Sequence, residues 1–255
     1  MEVLACVKRV PTTGGRITLT SDEQEIDTRF LGFTVSPHEE CGVEEAVRIV
    51  EAHGGSSTVL TLGPAAAEEQ LRDAMAIGVD RAILLETDGR GWSPAATAEA
   101  IVAAVRAQEV AGTGFDLLLF GQEAADTGDF QVGIRVAVAL GLPCVTGVKQ
   151  IELRDGHAVA SREAEGGWEV YEVPLPAVIT VKEGINLPRY PSVPGRLRAR
   201  RKEIQRLVPE WRPAGPEKIR LRVPQESGSA VEILGHGPEA APRVVEVLHQ
   251  LGLVS

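Results

Sequence analysis

The feature that most constrains the fold is a regular alternation, through about residue 145, of short apolar runs with amphipathic helical stretches. The apolar runs have the length and composition of strands that a parallel sheet buries on both faces. They cover residues 3–7, 58–62, 82–85 and 117–120. Helical periodicity covers residues 37–53, 65–77, 94–108 and 129–140. Because strand–helix–strand repeats require right-handed crossovers, the sequence predicts an α/β fold with a doubly wound, mostly parallel sheet.

The pattern changes after residue 146. Three strand-like runs separated by turn-forming glycines predict an antiparallel segment at one edge of the sheet. These runs cover residues 148–153, 158–163 and 168–173. A further buried strand is predicted over residues 175–181, and only residues 239–251 regain a helical pattern. We therefore predict a main domain over residues 1–183 and a tail over residues 184–255 that lies along its own domain or along another chain.

The tail begins with an unusual segment, INLPRYPSVPGRLRARRK, at residues 185–202. Its three prolines predict an extended surface loop that does not join a helix. Six cations follow between Arg196 and Arg206, in a chain whose formal net charge is −10. Apolar groups rimmed by charge are typical of protein contact surfaces. The alternatives are a loop packed on its own domain and an arginine strip that binds membrane or RNA, for which an apolar helical face and stacking aromatics are lacking.

Residues 36–39 have the sequence of a helix start. Ser36 as N-cap, Pro37 in the first turn and Glu39 three residues after the cap predict a capping box. Helix capping alone explains these residues. The alternative is that their backbone also flanks a neutral adenine or ribose, since Glu39 at the positive end of the helix would repel phosphate.

The sequence GQEAADTGDFQVGIRVA, residues 121–137, follows a predicted strand and leads into a helix. A turn of small residues at the carboxyl end of a parallel strand exposes amides that can hold a nucleotide phosphate. The alternative is an ordinary turn in which Asp126 or Thr127 caps the helix. Asp126 and Asp129 disfavour phosphate unless they point away. The segment is neither a Walker A loop nor a GxGxxG motif.

Several function classes find no support in the sequence. The five histidines are scattered, and no HExxH, GxSxG or comparable catalytic arrangement occurs. The three cysteines never approach CxxC spacing, so neither a zinc cluster nor a disulfide framework is predicted. A pI of about 5.1 argues against general nucleic-acid binding. The N-terminal residues lack the apolar stretch of a signal peptide or a spanning helix, so we expect a soluble, cytoplasmic protein without membrane insertion.

Six blocks of the sequence together resemble the beta subunit of electron transfer flavoproteins across nearly the whole chain. The blocks are VKRV (7–10), SPHEECGVEEAVRI (36–49), GPAAAEEQLRDAMAIGVDRAI (63–83), LLLFGQEAADTGDFQVG (117–133), SREAEGGWEVYEVPLPAVITV (161–181) and NLPRYPSVPGRLRAR (186–200). One block alone would be a weak match. Six blocks in the right order and at sensible spacing are highly specific.

The resemblance implies a Rossmann-like domain that pairs with a similar domain of an alpha subunit. The two form a platform beneath a mobile alpha-subunit domain that carries the redox-active FAD. It also implies that this chain buries a structural AMP without a redox role. The AMP contacts would fall at Cys6, Ser36, Pro37, His38, Glu39, Leu62, Ala125, Asp126, Thr127, Gly128, Asp129, Phe130, Gln131, Val132, Gly133, Ile134, Arg135 and Val136. This implied site coincides with the sheet edge that the pattern itself favours.

The resemblance also gives the proline-rich segment a role. It resembles the family's recognition loop, which docks an acyl-CoA dehydrogenase or a similar flavoenzyme, and its docking residues would be Tyr190, Val193, Pro194 and Leu197. Val193 stands where the family has a leucine, which removes about one methylene, or about 0.8 kcal/mol, of apolar burial. An arginine-rich strand would follow the loop, and residues 184–255 would form an arm that wraps the alpha subunit. A quinone reductase would then accept the electrons.

Two alternatives remain open. Electron-bifurcating relatives hold a second, redox-active FAD in place of AMP, and their loop typically reads DGDTAQVGP. Residues 126–134 here read DTGDFQVGI, with Asp129 at the threonine position and Ile134 at the proline position. We therefore favour AMP and a subunit without catalytic residues of its own. From another class, a nucleotide-hydrolysing or adenylyl-transferring enzyme needs a cationic or metal clamp, for which residues 121–137 offer only Arg135.

Overall fold

The structure, a computed structural model, describes residues 1–12, 14, 17–216, 218–224 and 231–254. The chain divides into two compact units. The first unit comprises Met1–Arg16 and Asp27–Ile219, and the second comprises Ile17–Ile26 and Arg220–Ser255.

Of the elements that the structure describes, the first unit contains all the strands and five of the six α-helices. Its strands are β1 (Glu2–Val7), β2 (Val10–Pro11), β3 (Phe33–Thr34), β4 (Ser56–Gly63), β5 (Arg81–Glu86), β6 (Leu117–Gly121), β7 (Cys144–Arg154), β8 (His157–Ala164), β9 (Gly167–Pro174), β10 (Ala177–Val181) and β11 (Gln205–Leu207). Its helices are α1 (Pro37–His53), α2 (Glu68–Ile77), α3 (Pro94–Val110), α4 (Val132–Leu140) and α5 (Val193–Ala199). A short 3₁₀ turn, Ala65–Ala67, precedes α2.

Nine of these strands form one twisted sheet in the order β11-β5-β4-β1-β6-β10-β7-β8-β9. The pairs from β11 to β7 are all parallel, and the β7–β8 and β8–β9 pairs are antiparallel. The chain builds outward from β1 through β4 to β5 and then returns to place β6 on the other side of β1. The predicted mostly parallel, doubly wound sheet with an antiparallel edge is confirmed, and its topological switch point lies between β1 and β6.

The core has two parts, one on each face of the sheet. In β1, Val3, Ala5 and Val7 belong to the apolar cluster that contains the buried residues of α1 and α2. Leu4 and Cys6 belong to the cluster that contains those of α3 and α4. The alternation follows from the two-residue period of a strand, and burial on both faces explains why the parallel strands are continuously apolar.

The proline-rich segment differs from its prediction. Val193–Ala199 is helical, so the predicted extended loop, and with it the arginine-rich strand, is wrong there. The Ser192 hydroxyl accepts a hydrogen bond from the Gly195 amide at 3.1 Å. Pro194 lies in the first turn of α5, where a missing amide proton is tolerated and the fixed φ favours a helix. A strand does follow, but it is only β11 (Gln205–Leu207), whose bounds and parallel pairing with β5 the sequence did not predict.

The second unit is small. Leu19 and Ile26 form an antiparallel bridge, and the Leu221 amide donates to the Glu23 carbonyl at 2.8 Å. A 3₁₀ turn, Gly237–Ala240, leads into helix α6 (Ala241–Gln250), which has no buried residue. The predicted helix over residues 239–251 is therefore confirmed. That residues 184–255 act as an arm around a partner stays a prediction.

Candidate functional site

The candidate nucleotide site lies at the carboxyl ends of β1, β4 and β6. The start of α1 crosses directly over the end of β6, where Gly121 is the last strand residue. A Cβ atom at Gly121 would lie 2.5 Å from Glu39 Cγ and 3.3 Å from the Glu39 amide nitrogen. Only glycine at this position allows the helix start to approach the strand end so closely.

Ser36 joins the two predicted segments of the site. Its side chain is fully buried, and its hydroxyl oxygen accepts a hydrogen bond from the Ala125 amide at 2.9 Å. The Ser36 amide donates to Glu39 Oε2 at 3.2 Å, and the predicted capping box is confirmed. Residues 36–39 and the turn after β6 therefore form one contiguous surface.

Glu39 is buried at the centre of this surface. Burial raises the pKa of its carboxyl group to about 8, although hydrogen bonds from the backbone of Lys8 and Ser36 favour the charged form. At pH 7 the group is therefore mostly neutral, and the predicted repulsion of an anion is largely removed. Burial, with a smaller contribution from Glu39, also raises the pKa of the Cys6 thiol, so Cys6 stays protonated and is a poor nucleophile.

Lys8 lies at the candidate site and was missed in the sequence analysis. It follows β1, and its Nζ lies 2.7 Å from Asp126 Oδ1 and donates to Thr127 Oγ1 at 3.2 Å. The negative charge of Asp126 is thereby balanced within the site. The prediction that Asp126 or Thr127 caps the next helix is wrong, because α4 begins only at Val132 and Gln131 is its N-cap.

The start of α4 is open. Gln131 makes no side-chain cap hydrogen bond, and the amides of the first turn of a helix have no intrahelical acceptor. Arg135 folds back so that its Nε and Nη2 donate to Gln131 Oε1 at 3.0 and 2.9 Å. Free amides, the positive end of the helix dipole and a guanidinium group therefore occur together.

His38 connects three parts of the chain. Its Nδ1 accepts a hydrogen bond from the Glu183 amide at 2.7 Å, so the ring proton is on Nε2, which lies 3.2 Å from Glu123 Oε1. The ring thus links α1 to the turn after β6 and to the segment after β10. Neither Glu123 nor Glu183 could be identified from sequence as a partner of His38, because the two contacts span 85 and 145 residues.

The remaining predicted contacts are at the same edge but in different environments. Leu62 is half-buried near the end of β4, on the opposite side of β1 from β6. Gly133 and Val136 are buried beneath the start of α4, whereas Phe130 and Ile134 are 50% and 41% exposed. Pro37 occupies the first position of α1. Gly128 and Asp129 are partly exposed in the turn before α4.

The predicted docking residues lie on a separate surface of the first unit. The side chains of Tyr190, Val193 and Leu197 are 96%, 73% and 55% exposed, and Pro194 is exposed too. Helix α5 is seated on α2, because a Cβ atom at Gly195 would lie 2.3 Å from the Ala76 carbonyl oxygen.

Two features are absent from the residues that the structure describes. Within those ranges, no group of three or more His, Cys, Asp or Glu side chains could hold a metal ion. No helix in the described part of the chain is long and apolar enough to cross a membrane.

Comparison with known proteins adds a family match. Residues 26–210 match the electron transfer flavoprotein domain. A protein of Bacillus subtilis named electron transfer flavoprotein subunit beta is 33% identical over 209 residues, which are 81% of this chain and 79% of the relative. A Syntrophomonas wolfei protein of the same name is 31% identical over 247 residues, 96% of this chain and 95% of the relative. The protein of Oryza sativa subsp. indica named electron transfer flavoprotein subunit beta, mitochondrial, is 34% identical over 214 residues, which are 82% of this chain and 83% of the relative.

Proposed function

Because this chain belongs to the electron transfer flavoprotein family as a beta subunit, we propose that it acts as a non-catalytic scaffold in an alpha–beta electron carrier. In this role it binds a structural AMP at the β1–β4–β6 edge. It also docks acyl-CoA dehydrogenases or similar flavoenzymes, so that an FAD on the alpha subunit receives electrons and passes them to an acceptor such as a quinone reductase.

The observation that carries the AMP proposal is the open start of α4 beside an acidic residue already paired with Lys8. The amides after Gln131 would hold the phosphate, and Arg135 would add a positive charge. Lys8 would compensate the charge of Asp126 beside the anion through their contact at 2.7 Å. The base and sugar would lie against residues 36–39, Cys6 and Leu62.

The docking proposal is supported by exposed apolar side chains next to cations. Leu187, Tyr190, Val193 and Leu197 are exposed, and Arg198, Arg200 and Arg201 lie beside them in sequence with exposed side chains. Aromatic, aliphatic and arginine anchors of this kind are favoured at protein interfaces.

The decisive experiment is to denature the purified alpha–beta complex and to identify and count the released nucleotides. We expect one FAD and one AMP for each complex. Two FAD molecules would instead support the bifurcating form, and ATP turnover by this chain would support an enzyme. A complex that releases no adenylate beyond its single FAD would overturn the AMP proposal.

Two variants locate the nucleotide on this chain. Lys8→Gln leaves the Asp126 charge uncompensated, and we expect the affinity for AMP to fall about tenfold, which corresponds to about 1.4 kcal/mol. Adding Asp126→Asn should restore much of the affinity, because the repulsive charge is then removed. Equal AMP occupancy in wild type and Lys8→Gln at limiting AMP would place the phosphate elsewhere.

A further inference from the structure

The segment before α5 is held against the outer side of α1 by hydrogen bonds between its polar groups and those of the helix. Asn186 Nδ2 donates to the Cys41 carbonyl oxygen and to Glu45 Oε2, both at 2.9 Å. Arg48 Nη2 donates to the Leu187 carbonyl oxygen at 3.3 Å. The backbone at residues 186–187 is therefore fixed to a long helix rather than free in solvent.

Arg189 makes the strongest of these attachments. Its guanidinium group donates to Glu44 through Nε at 2.9 Å and Nη2 at 3.0 Å, and to Glu51 through Nη1 at 2.7 Å and Nη2 at 2.9 Å. Its backbone amide also donates to Glu44 Oε2 at 3.2 Å. Two carboxylates about two helical turns apart on α1 are thus joined by one planar fork, a geometry that lysine cannot reproduce.

The Glu44 side chain is only 1% exposed, so its charge depends on these partners. Burial alone would raise its pKa, but hydrogen bonds from Arg189 and Arg48 hold the pKa below its usual value. Hydrogen bonds that Arg189 donates to Glu51 and Glu44 raise the pKa of Arg189. The pair is therefore charged across the physiological range.

The consequence is a division between fixed backbone and free side chains. While Asn186 and Arg189 point toward α1, Leu187 and Tyr190 are 84% and 96% exposed. A surface loop that must be ordered when a partner binds loses affinity to that ordering, and a loop already held in place does not.

We propose that Arg189 and Asn186 are positioning residues that hold residues 186–193 in their docking conformation before the partner arrives. Neither residue has to touch the partner. The inference rests on the proposed docking function and specifies how that surface is formed. Helix α1, with Glu44, Glu45 and Glu51, is the template for the docking segment.

The test uses the intact alpha–beta complex and measures reduction of its FAD at varied concentrations of a substrate-reduced acyl-CoA dehydrogenase. For Arg189→Gln we expect the KM for the dehydrogenase to rise about tenfold with kcat and FAD content unchanged, because only pre-ordering is lost. Arg189→Lys should give an intermediate KM, since it keeps the charge without the fork. Arg106→Gln, on α3, is the matched control and should leave KM unchanged.

Two further readouts separate positioning from general stability. Hydrogen exchange at residues 186–190 should accelerate in Arg189→Gln while exchange in the sheet strands does not change. Val193→Ala should raise KM less in the Arg189→Gln background than in wild type, because an unfixed loop no longer presents the side chain in one place. If Arg189→Gln does not fold, Asn186→Ala removes two hydrogen bonds and leaves Glu44 paired with Arg189, and its KM should rise about threefold.

The outcomes distinguish this inference from the docking function itself. If the dehydrogenase does not reduce the wild-type complex, or if Val193→Ala has the wild-type KM, the docking function fails and the inference fails with it. If wild type and Val193→Ala behave as expected but Arg189→Gln and Asn186→Ala have the KM of Arg106→Gln, only the positioning inference is overturned.

Discussion

At the scale of single residues, the candidate site depends on how buried charges are balanced. Asp126 stays beside a potential phosphate site because Lys8 compensates its charge at 2.7 Å. The charge of Glu39 is suppressed rather than compensated, since burial raises the pKa of its carboxyl group to about 8 and leaves the group mostly neutral at pH 7. A neutral carboxyl group at the start of α1 can accept or donate hydrogen bonds without strongly repelling an anion.

The raised pKa of Glu39 predicts a specific pH dependence of stability. Its folded pKa is about 8 and its ordinary value is 4.5, so between these values the native state holds a proton that the unfolded state has released. Stability from this group is complete below about pH 4.5 and is lost as the pH rises toward 8. For Glu39→Gln, which cannot ionise, we expect the Tm of the complex relative to wild type to rise by about 3 °C between pH 5 and pH 8.

Thermal unfolding of the two complexes at several pH values checks this expectation. Glu165→Gln, an exposed substitution in the turn between β8 and β9, controls for the loss of a surface charge and should show no such trend. A constant Tm difference between Glu39→Gln and wild type from pH 5 to pH 8 would contradict a raised pKa.

At the scale of elements, local signals decided what the sequence could predict. Helix α1 was predicted at both ends, because Ser36 is a local start signal, Gly54 is a local stop signal, and the apolar period between them is regular. Helix α5 was missed because seven residues rich in arginine and proline carry little periodic signal. It is stabilised by tertiary contacts instead, including Arg72 Nη1, which donates to the Ala199 carbonyl oxygen at 2.6 Å. The contacts of His38, Lys8 and Arg189 join residues at least 85 positions apart in the chain. Such contacts leave no local pattern and could not be inferred from sequence.

If packing against α2 determines the position of α5, a single added methyl group at that contact should displace α5. Gly195→Ala places a Cβ atom 2.3 Å from the Ala76 carbonyl oxygen, so the helix must shift. Overpacking of this kind lowers the free energy of unfolding by about 1–3 kcal/mol. We expect faster hydrogen exchange in residues 193–199 and a higher KM for the dehydrogenase. Gly42→Ala, in α1, is the matched control, because its Cβ meets no atom within 4 Å and the substitution should be neutral or stabilising. Unchanged exchange in Gly195→Ala would show that α5 does not depend on this contact.

At the scale of the whole molecule, the distribution of charge is uneven. The chain has a formal net charge of −10, yet six of its cations fall between Arg196 and Arg206. Part of this cluster is used internally, since Lys202 donates to the Val79 carbonyl oxygen at 2.7 Å and Arg206 pairs with Glu86 at 2.6 Å. Arg198, Arg200 and Arg201 have exposed side chains and lie close in sequence to the apolar residues proposed for docking. A partner that binds here should therefore present an acidic surface.

This asymmetry predicts that docking is steered by salt-sensitive attraction but held by apolar contact. Between about 20 mM and 200 mM ionic strength we expect the KM for the dehydrogenase to rise about tenfold in the wild-type complex. The reason is that the Debye length shortens as salt is added, which weakens the attraction between exposed charges. The double substitution Arg200→Gln and Arg201→Gln should raise KM at low salt and flatten this dependence. Val193→Ala should raise KM at every ionic strength and keep the wild-type slope, since apolar burial is not screened. Steady-state reduction of the complex across a salt series measures all three slopes. Equal slopes in wild type and the double variant would show that these arginines do not face the partner.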